Sequence, residues 1–154
     1  MILSTGSWKV RSVTGALLTT PRGRRPRLFF RFSPRTITAP EVIRFLKHLR
    51  RHVRGRIILL WDGLPSHRAK MVGNFMAVNR YWLAVERFPA YAPELNPQEY
   101  VWAALKTKDT ANVCPENLAD IDRRLRAGVQ RLRRSSDVLA GCLQASKLFT
   151  KVVK

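Results

Sequence analysis

Residues 57–63 read Ile-Ile-Leu-Leu-Trp-Asp-Gly, five apolar residues that end on a single acid and a glycine. An uninterrupted apolar run of this length predicts a strand buried on both faces, as in a sheet covered by helices. Asp62 then falls just past the carboxyl end of that strand, where ligands bind in open α/β sheets. The same residue also suits a plain turn, because Asp and Gly both favour turns and the sequence continues DGLP. Spacing alone leaves both roles open.

Toward the C-terminus, Ser66 opens a helix with Ala69, Val72, Phe75 and Met76 on its inner face. YWLAVERF, residues 81–88, reads as a further strand, and PAYAPELNP, residues 89–97, as a rigid loop with three prolines. Asn96 ends that loop as the cap of a helix running from Pro97 to about Lys106. Glu99 lies three residues after the cap, where a glutamate can reach back to the cap's own backbone N–H. Pro115 to Arg134 is a longer helix with Leu118, Ile121, Leu125, Val129 and Leu132 along one stripe. Residues 136–148 form the last helix.

Toward the N-terminus, residues 7–18 alternate apolar and polar positions as a strand does. TTPRGRRPR, residues 19–27, is a turn, and LFFRF, residues 28–32, a second strand, so the pair reads as a hairpin with an arginine-rich tip. Thr38 to Glu41 has the form of a capping box, with a proline tolerated in the first turn. Val42, Leu46, Leu49 and Val53 follow at helical spacing, and Gly55 suits the helix stop. The opposite face carries Arg44, Lys47, Arg50, Arg51 and Arg54, either a solvated face or a contact surface for DNA. Strand, strand, helix, strand, helix, strand and C-terminal helices make a mixed α/β layer fold.

The chain has 154 residues, enough for one domain, with 29 Lys/Arg against 10 Asp/Glu and a formal charge of +19. At 45% apolar residues it is too hydrophobic for a disordered basic tail. No apolar run approaches the roughly 20 residues of a membrane span, and MILSTGSWKV lacks the apolar core of a signal peptide. Cys114 and Cys142 are too few for a disulfide framework and have no zinc-site spacing, so the expected setting is reduced and cytoplasmic. Charge of this size has a polyphosphate backbone as its usual partner. Residues 1–61 carry 14 Lys/Arg and one acid, Glu41.

With only ten acids, each can be weighed. Asp109, Glu116, Asp120, Asp122 and Asp137 fall on polar helix faces or helix starts and suit capping and solvation. Glu41 belongs to its capping box, and Glu86 and Glu94 have no motif that needs them. Asp62 and Glu99 are set apart by position, one at a strand end and the other at a helix start fixed by prolines.

WDGLPSHRAK and FPAYAPELNPQEYVWAALK resemble the second and third catalytic blocks of mariner-type DDE transposases, most closely the bacterial insertion-sequence branch. That family pairs an Asp at a strand end, followed by a loop and a His, with a later Y-x-P-x-L-N-P-x-E loop and a Trp. Asp62, His67, Asn96, Glu99 and Trp102 match those positions, and 36 residues separate Asp62 from Glu99. The resemblance spans most of residues 7–148. It implies an RNase H-like mixed sheet flanked by helices and metal-dependent cleavage and transfer of DNA strands.

In that family the carboxylates hold two divalent ions, Mg²⁺ or Mn²⁺, which activate water or a 3′-hydroxyl and stabilise the leaving oxygen. The resemblance assigns Asp62 and Glu99 as catalytic metal ligands, with Asn96 as a cap. His67 orients the loop, approaches the scissile phosphate or makes a helix-start hydrogen bond. Trp102 and Tyr91 read as packing residues. Double-stranded DNA, as transposon ends and target, is the expected partner, with a nucleoid-associated location. Arg22, Arg24, Arg25 and Arg27 at the hairpin tip and Arg50, Arg51 and Arg54 on the first helix are the expected nucleic-acid contacts.

One element of the pattern is missing. The family places its first Asp on the first strand of the sheet, yet no Asp precedes Asp62. Nor does a helix-turn-helix region, which this family uses to recognise terminal repeats, appear in the chain. The expectation is therefore a single partial catalytic domain lacking its first strand, inactive alone. A separate N-terminal segment or a full-length transposase is its further expected partner. Exposed sheet edges and marginal solubility would follow. The competing expectation is a non-catalytic basic module that binds nucleic acid.

Overall fold

The structure is a computed structural model that describes residues 2–3, 11–22, 24–33, 36–89, 92–107 and 118–148. Tyr91, Asp109, Cys114 and Glu116 lie outside the described residues, as do positions 7–10 and 115–117 of two expected elements. The described elements are β1 (Ile2–Leu3), β2 (Arg11–Leu18), β3 (Arg27–Ser33), α1 (Ala39–His52), β4 (Ile57–Trp61), α2 (Lys70–Val78), β5 (Leu83–Arg87), α3 (Pro97–Leu105), α4 (Leu118–Arg134) and α5 (Ser136–Ala145). The strands form two small sheets, β1-β2-β3 and β4-β5. The chain divides into two compact units.

The first unit comprises Met1–Leu3, Val10–Thr14 and Arg31–Ala92. In it β1 pairs antiparallel with β2, matching Ile2 to Ser12 and Leu3 to Arg11. β4 and β5 run parallel in a register that matches Ile57 to Leu83 and Trp61 to Arg87. The parallel direction follows from α2, which connects the two strands as a crossover helix. α1 packs on α2 through a stripe of Val42, Phe45, Leu46 and Leu49, all buried. Val53 has left the helix and takes extended backbone as its C-cap. Gly55, with φ +88°, makes the left-handed turn into β4 that a side chain would oppose.

Three local expectations are corrected here. β4 is not buried on both faces: Ile57 and Trp61 are buried, whereas Ile58 is 73% and Leu60 37% exposed. Alternate residues of a strand face opposite ways, and only one face of this two-stranded sheet is covered. Ser66 does not open α2. It lies in a single 3₁₀ turn, Pro65–His67, and α2 begins three residues after that turn with Ala69 as its N-cap. The Thr38 side chain accepts no backbone hydrogen bond. Pro40 has no N–H to offer, and the Thr38 hydroxyl donates instead to the Glu41 carboxylate, which also pairs with Arg44.

The second unit comprises Ser4–Lys9, Gly15–Phe30 and Pro93–Lys154. Its core is helical, with α3, α4 and α5 in mutual contact through Val101, Leu105, Leu125, Val129, Leu132, Leu139 and Leu143. Trp102 is buried and meets Phe30 edge-on, with ring centroids 5.0 Å apart. Arg133 on α4 donates through Nε to the Leu28 carbonyl, 3.0 Å away. Cys142 is buried in α5 with a free thiol, and burial raises its pKa. Among the described residues no helix is long and apolar enough to cross a membrane.

Candidate functional site

Asp62 follows directly on Trp61, the last residue of β4, so the end of hydrogen bonding with β5 sets where its side chain emerges. The carboxylate is about half exposed, at 49%. Its Oδ1 accepts from the Leu64 backbone N–H at 3.3 Å and from His67 Nδ1 at 2.9 Å. His67 Nδ1 also lies 3.1 Å from the Asp62 backbone carbonyl. Oδ2 has no partner among the described residues. The His67 hydrogen bond lowers the Asp62 pKa against the opposing effect of partial burial, so the group is a carboxylate at neutral pH.

The turn Pro65–His67 brings His67 back toward the strand end, closed by its N–H donating to the Leu64 carbonyl at 2.9 Å. The imidazole stacks flat on the Trp61 indole, with centroids 4.4 Å apart and planes 4° from parallel. Sequence reasoning did not single out Trp61. Six positions separate the two rings, and no helical or strand period predicts their contact.

Glu99 lies in the first turn of α3, in the second unit. Asn96 caps that helix as expected, its Oδ1 accepting from the Gln98 N–H at 3.1 Å. The reciprocal half of the capping box is absent, because the Asn96 N–H donates to the Pro93 carbonyl at 3.0 Å. The Glu99 side chain is exposed and has no partner among the described residues. Capping therefore does not account for this glutamate.

Asp62 and His67 are brought together, while Asp62 and Glu99 belong to different units. Among the described residues no three His, Cys, Asp or Glu side chains converge on a common metal position. The chemistry of the two carboxylates still fits a hard divalent ion, which takes charged oxygen ligands. Among the described residues Asp62 offers one oxygen without a partner beside a held one, and Glu99 a carboxylate without a partner. Glu41 does not fit, since Thr38 and Arg44 already engage it.

The expected nucleic-acid contacts fall into two groups. Arg22, Arg24, Arg25 and Arg27 are exposed around the turn between β2 and β3. That turn is held by Thr19 and Thr20, whose hydroxyls donate to the Arg24 carbonyl at 3.0 and 3.2 Å. Arg27 lies over the Phe29 ring, 5.2 Å from its centroid. Arg50, Arg51 and Arg54 are exposed at the end of α1. Arg50 is also tied locally, donating to the Gly55 carbonyl at 2.9 Å with its guanidinium over Trp82.

A strand-end carboxylate in an α/β domain with a helical C-terminal part defines a class that the family comparison identifies. Residues 2–121 match the family described as DDE superfamily endonuclease, and the chain belongs to that family. In fold it is similar to the catalytic domain of Mos1 mariner transposase, known from a crystal structure. The two share 15% identity over 88% of this chain and 81% of that one, at a TM-score of 0.51. No curated protein matches the chain. The resemblance to mariner-type DDE transposases and the RNase H-like α/β class are thus borne out.

Proposed function

We propose that this chain is the catalytic domain of a transposase that cleaves and joins DNA strands with Mg²⁺ or Mn²⁺, using Asp62 and Glu99 as ligands. One observation carries this reading. In a family defined by such carboxylates, the Glu99 side chain is left over after its helix is capped by other groups. The bound ions supply activation of the attacking oxygen and stabilisation of the leaving one. Asp62 and Glu99 would hold the ions through charged carboxylate oxygens, and the exposed arginines of the β2–β3 turn and of α1 would neutralise backbone phosphates. The chain supplies a partial catalytic domain that works in the nucleoid, on transposon ends and target, together with a separate N-terminal segment or a full-length transposase.

A second reading is a basic module that binds nucleic acid without cutting it. It is favoured by Glu41, the one acid before Asp62, being occupied by Thr38 and Arg44. Nicking of supercoiled plasmid in Mn²⁺ separates the two. Cleavage by the wild-type chain that is lost in Asp62→Ala and in Glu99→Ala supports the enzyme. Salt-sensitive DNA binding without nicking in any buffer supports the module.

A further inference from the structure

The Asp62–His67–Trp61 arrangement goes beyond what a strand end requires. His67 Nδ1 faces two oxygen acceptors, the Asp62 carbonyl at 3.1 Å and Oδ1 at 2.9 Å. Two acceptors cannot satisfy each other, so Nδ1 must carry the hydrogen, whichever charge state the ring adopts. In the neutral ring this fixes the tautomer and leaves Nε2 with the lone pair. The plane of the ring is set independently by the Trp61 indole, stacked at 4.4 Å and 4°. A rigid donor therefore approaches the Asp62 carboxylate from a fixed direction. It occupies Oδ1 together with the Leu64 N–H and leaves Oδ2 without a partner among the described residues.

We infer that His67, clamped on Trp61, is a positioning residue that holds the Asp62 carboxylate in the rotamer that presents Oδ2 to a divalent ion. The inference rests on the ligand role proposed for Asp62. Side chains that fix a ligand in this way typically contribute 10–100-fold to metal affinity. A free carboxylate would have to surrender side-chain rotational freedom on binding, and here the hydrogen bond and the stack have already removed it. Trp61 is held in turn, as a buried residue paired in register with Arg87.

Two measurements on the full 154-residue chain test this. The first needs no metal: the ¹⁵N pattern of the His67 ring, read at a pH where it is neutral, reports the tautomer. The Nδ1–H form is expected, and a predominantly Nε2–H ring overturns the inference. The second is Mn²⁺ affinity by electron paramagnetic resonance, with melting in metal-free buffer as the control for folding. His67→Phe keeps a stacking ring without the donor, and His67→Gln moves the donor to the other ring position. Both are expected to weaken Mn²⁺ binding about tenfold or more. His67→Asn restores a donor at the Nδ1 position and is expected within about threefold of wild type, a pattern that loss of packing alone would not produce.

Equal affinity in wild type and His67→Phe overturns the positioning role while leaving Asp62 as a ligand. Equal affinity in wild type and Asp62→Asn overturns the ligand assignment, and the positioning role with it.

Discussion

Asp62 and Glu99 have in common a carboxylate that local structure has not used up. Asp62 keeps one oxygen without a partner among the described residues, and Glu99 keeps both. If they bind the ions, Asp62→Ala and Glu99→Ala should each lower Mn²⁺-dependent nicking at least a hundredfold, scored as nicked circles against time. Glu99 is solvent-exposed without a partner among the described residues, so Glu99→Ala should melt within about a degree or two of wild type. Asp62→Ala also loses the His67 and Leu64 hydrogen bonds and should melt a few degrees lower. A Glu99→Ala chain that loses nicking and several degrees together would mean that this residue supports the fold instead. Asn96 shows the contrasting case of a polar side chain fully explained by a cap. Asn96→Ala should cost about 1 kcal/mol of stability in urea denaturation.

At the scale of elements, strand β4 separates the effect of pattern from the effect of neighbours. Its five apolar residues look equivalent in sequence, yet Ile57 is 7% and Ile58 73% exposed. Ile58→Thr should leave stability within about 0.5 kcal/mol of wild type, while Ile57→Thr should cost roughly 1–3 kcal/mol in the same urea titration. Comparable losses at both would mean that the outer face is covered in solution. Where β2 meets α3, a Cβ added at Gly15 would lie 2.6 Å from Gln98 Nε2 and 3.3 Å from Trp102 Cη2. Gly15→Ala should therefore destabilise by roughly 1–3 kcal/mol, and Gln98→Ala in the same chain should recover much of it in a double-mutant cycle.

Helix α1 gives the pH dependence at this scale. The Thr38 hydroxyl holds the Glu41 carboxyl below its ordinary value of 4.5, helped by Arg44. A depressed pKa in the fold means that the unfolded chain binds the proton more readily. The stability this adds is complete above pH 4.5 and disappears as pH falls through the lower folded value. Glu41→Gln should flatten that acid limb of a melting profile by lowering the neutral plateau toward the acid value, which itself should change little.

For the molecule as a whole, +19 on 154 residues makes ionic strength the dominant variable for any contact with DNA. Replacing Arg22, Arg24 and Arg25 by Ser should weaken duplex binding and lower the slope of log affinity against log salt. Every phosphate that these arginines neutralise in the wild type should account for about 0.9 of that slope. An unchanged slope would exclude the β2–β3 turn from the interface. Arg50→Ser should affect stability as well as binding, because its guanidinium is already shared with Gly55 and Trp82.

Sequence alone determined the α/β class, the order of the main elements and the two positions worth weighing as ligands. Those features are carried by short-range signals: apolar period, caps, prolines and two blocks whose acids, Asp62 and Glu99, have 36 residues between them. Only the tertiary structure decided which face of β4 is covered, because burial depends on what packs against a strand and not on its own composition. It also placed the start of α2 beyond the Pro65–His67 turn and turned Thr38 from a cap into a donor for Glu41. Above all, it set His67 on Trp61 and against Asp62. That contact depends on the path of a tight turn in three dimensions, which residue spacing does not encode.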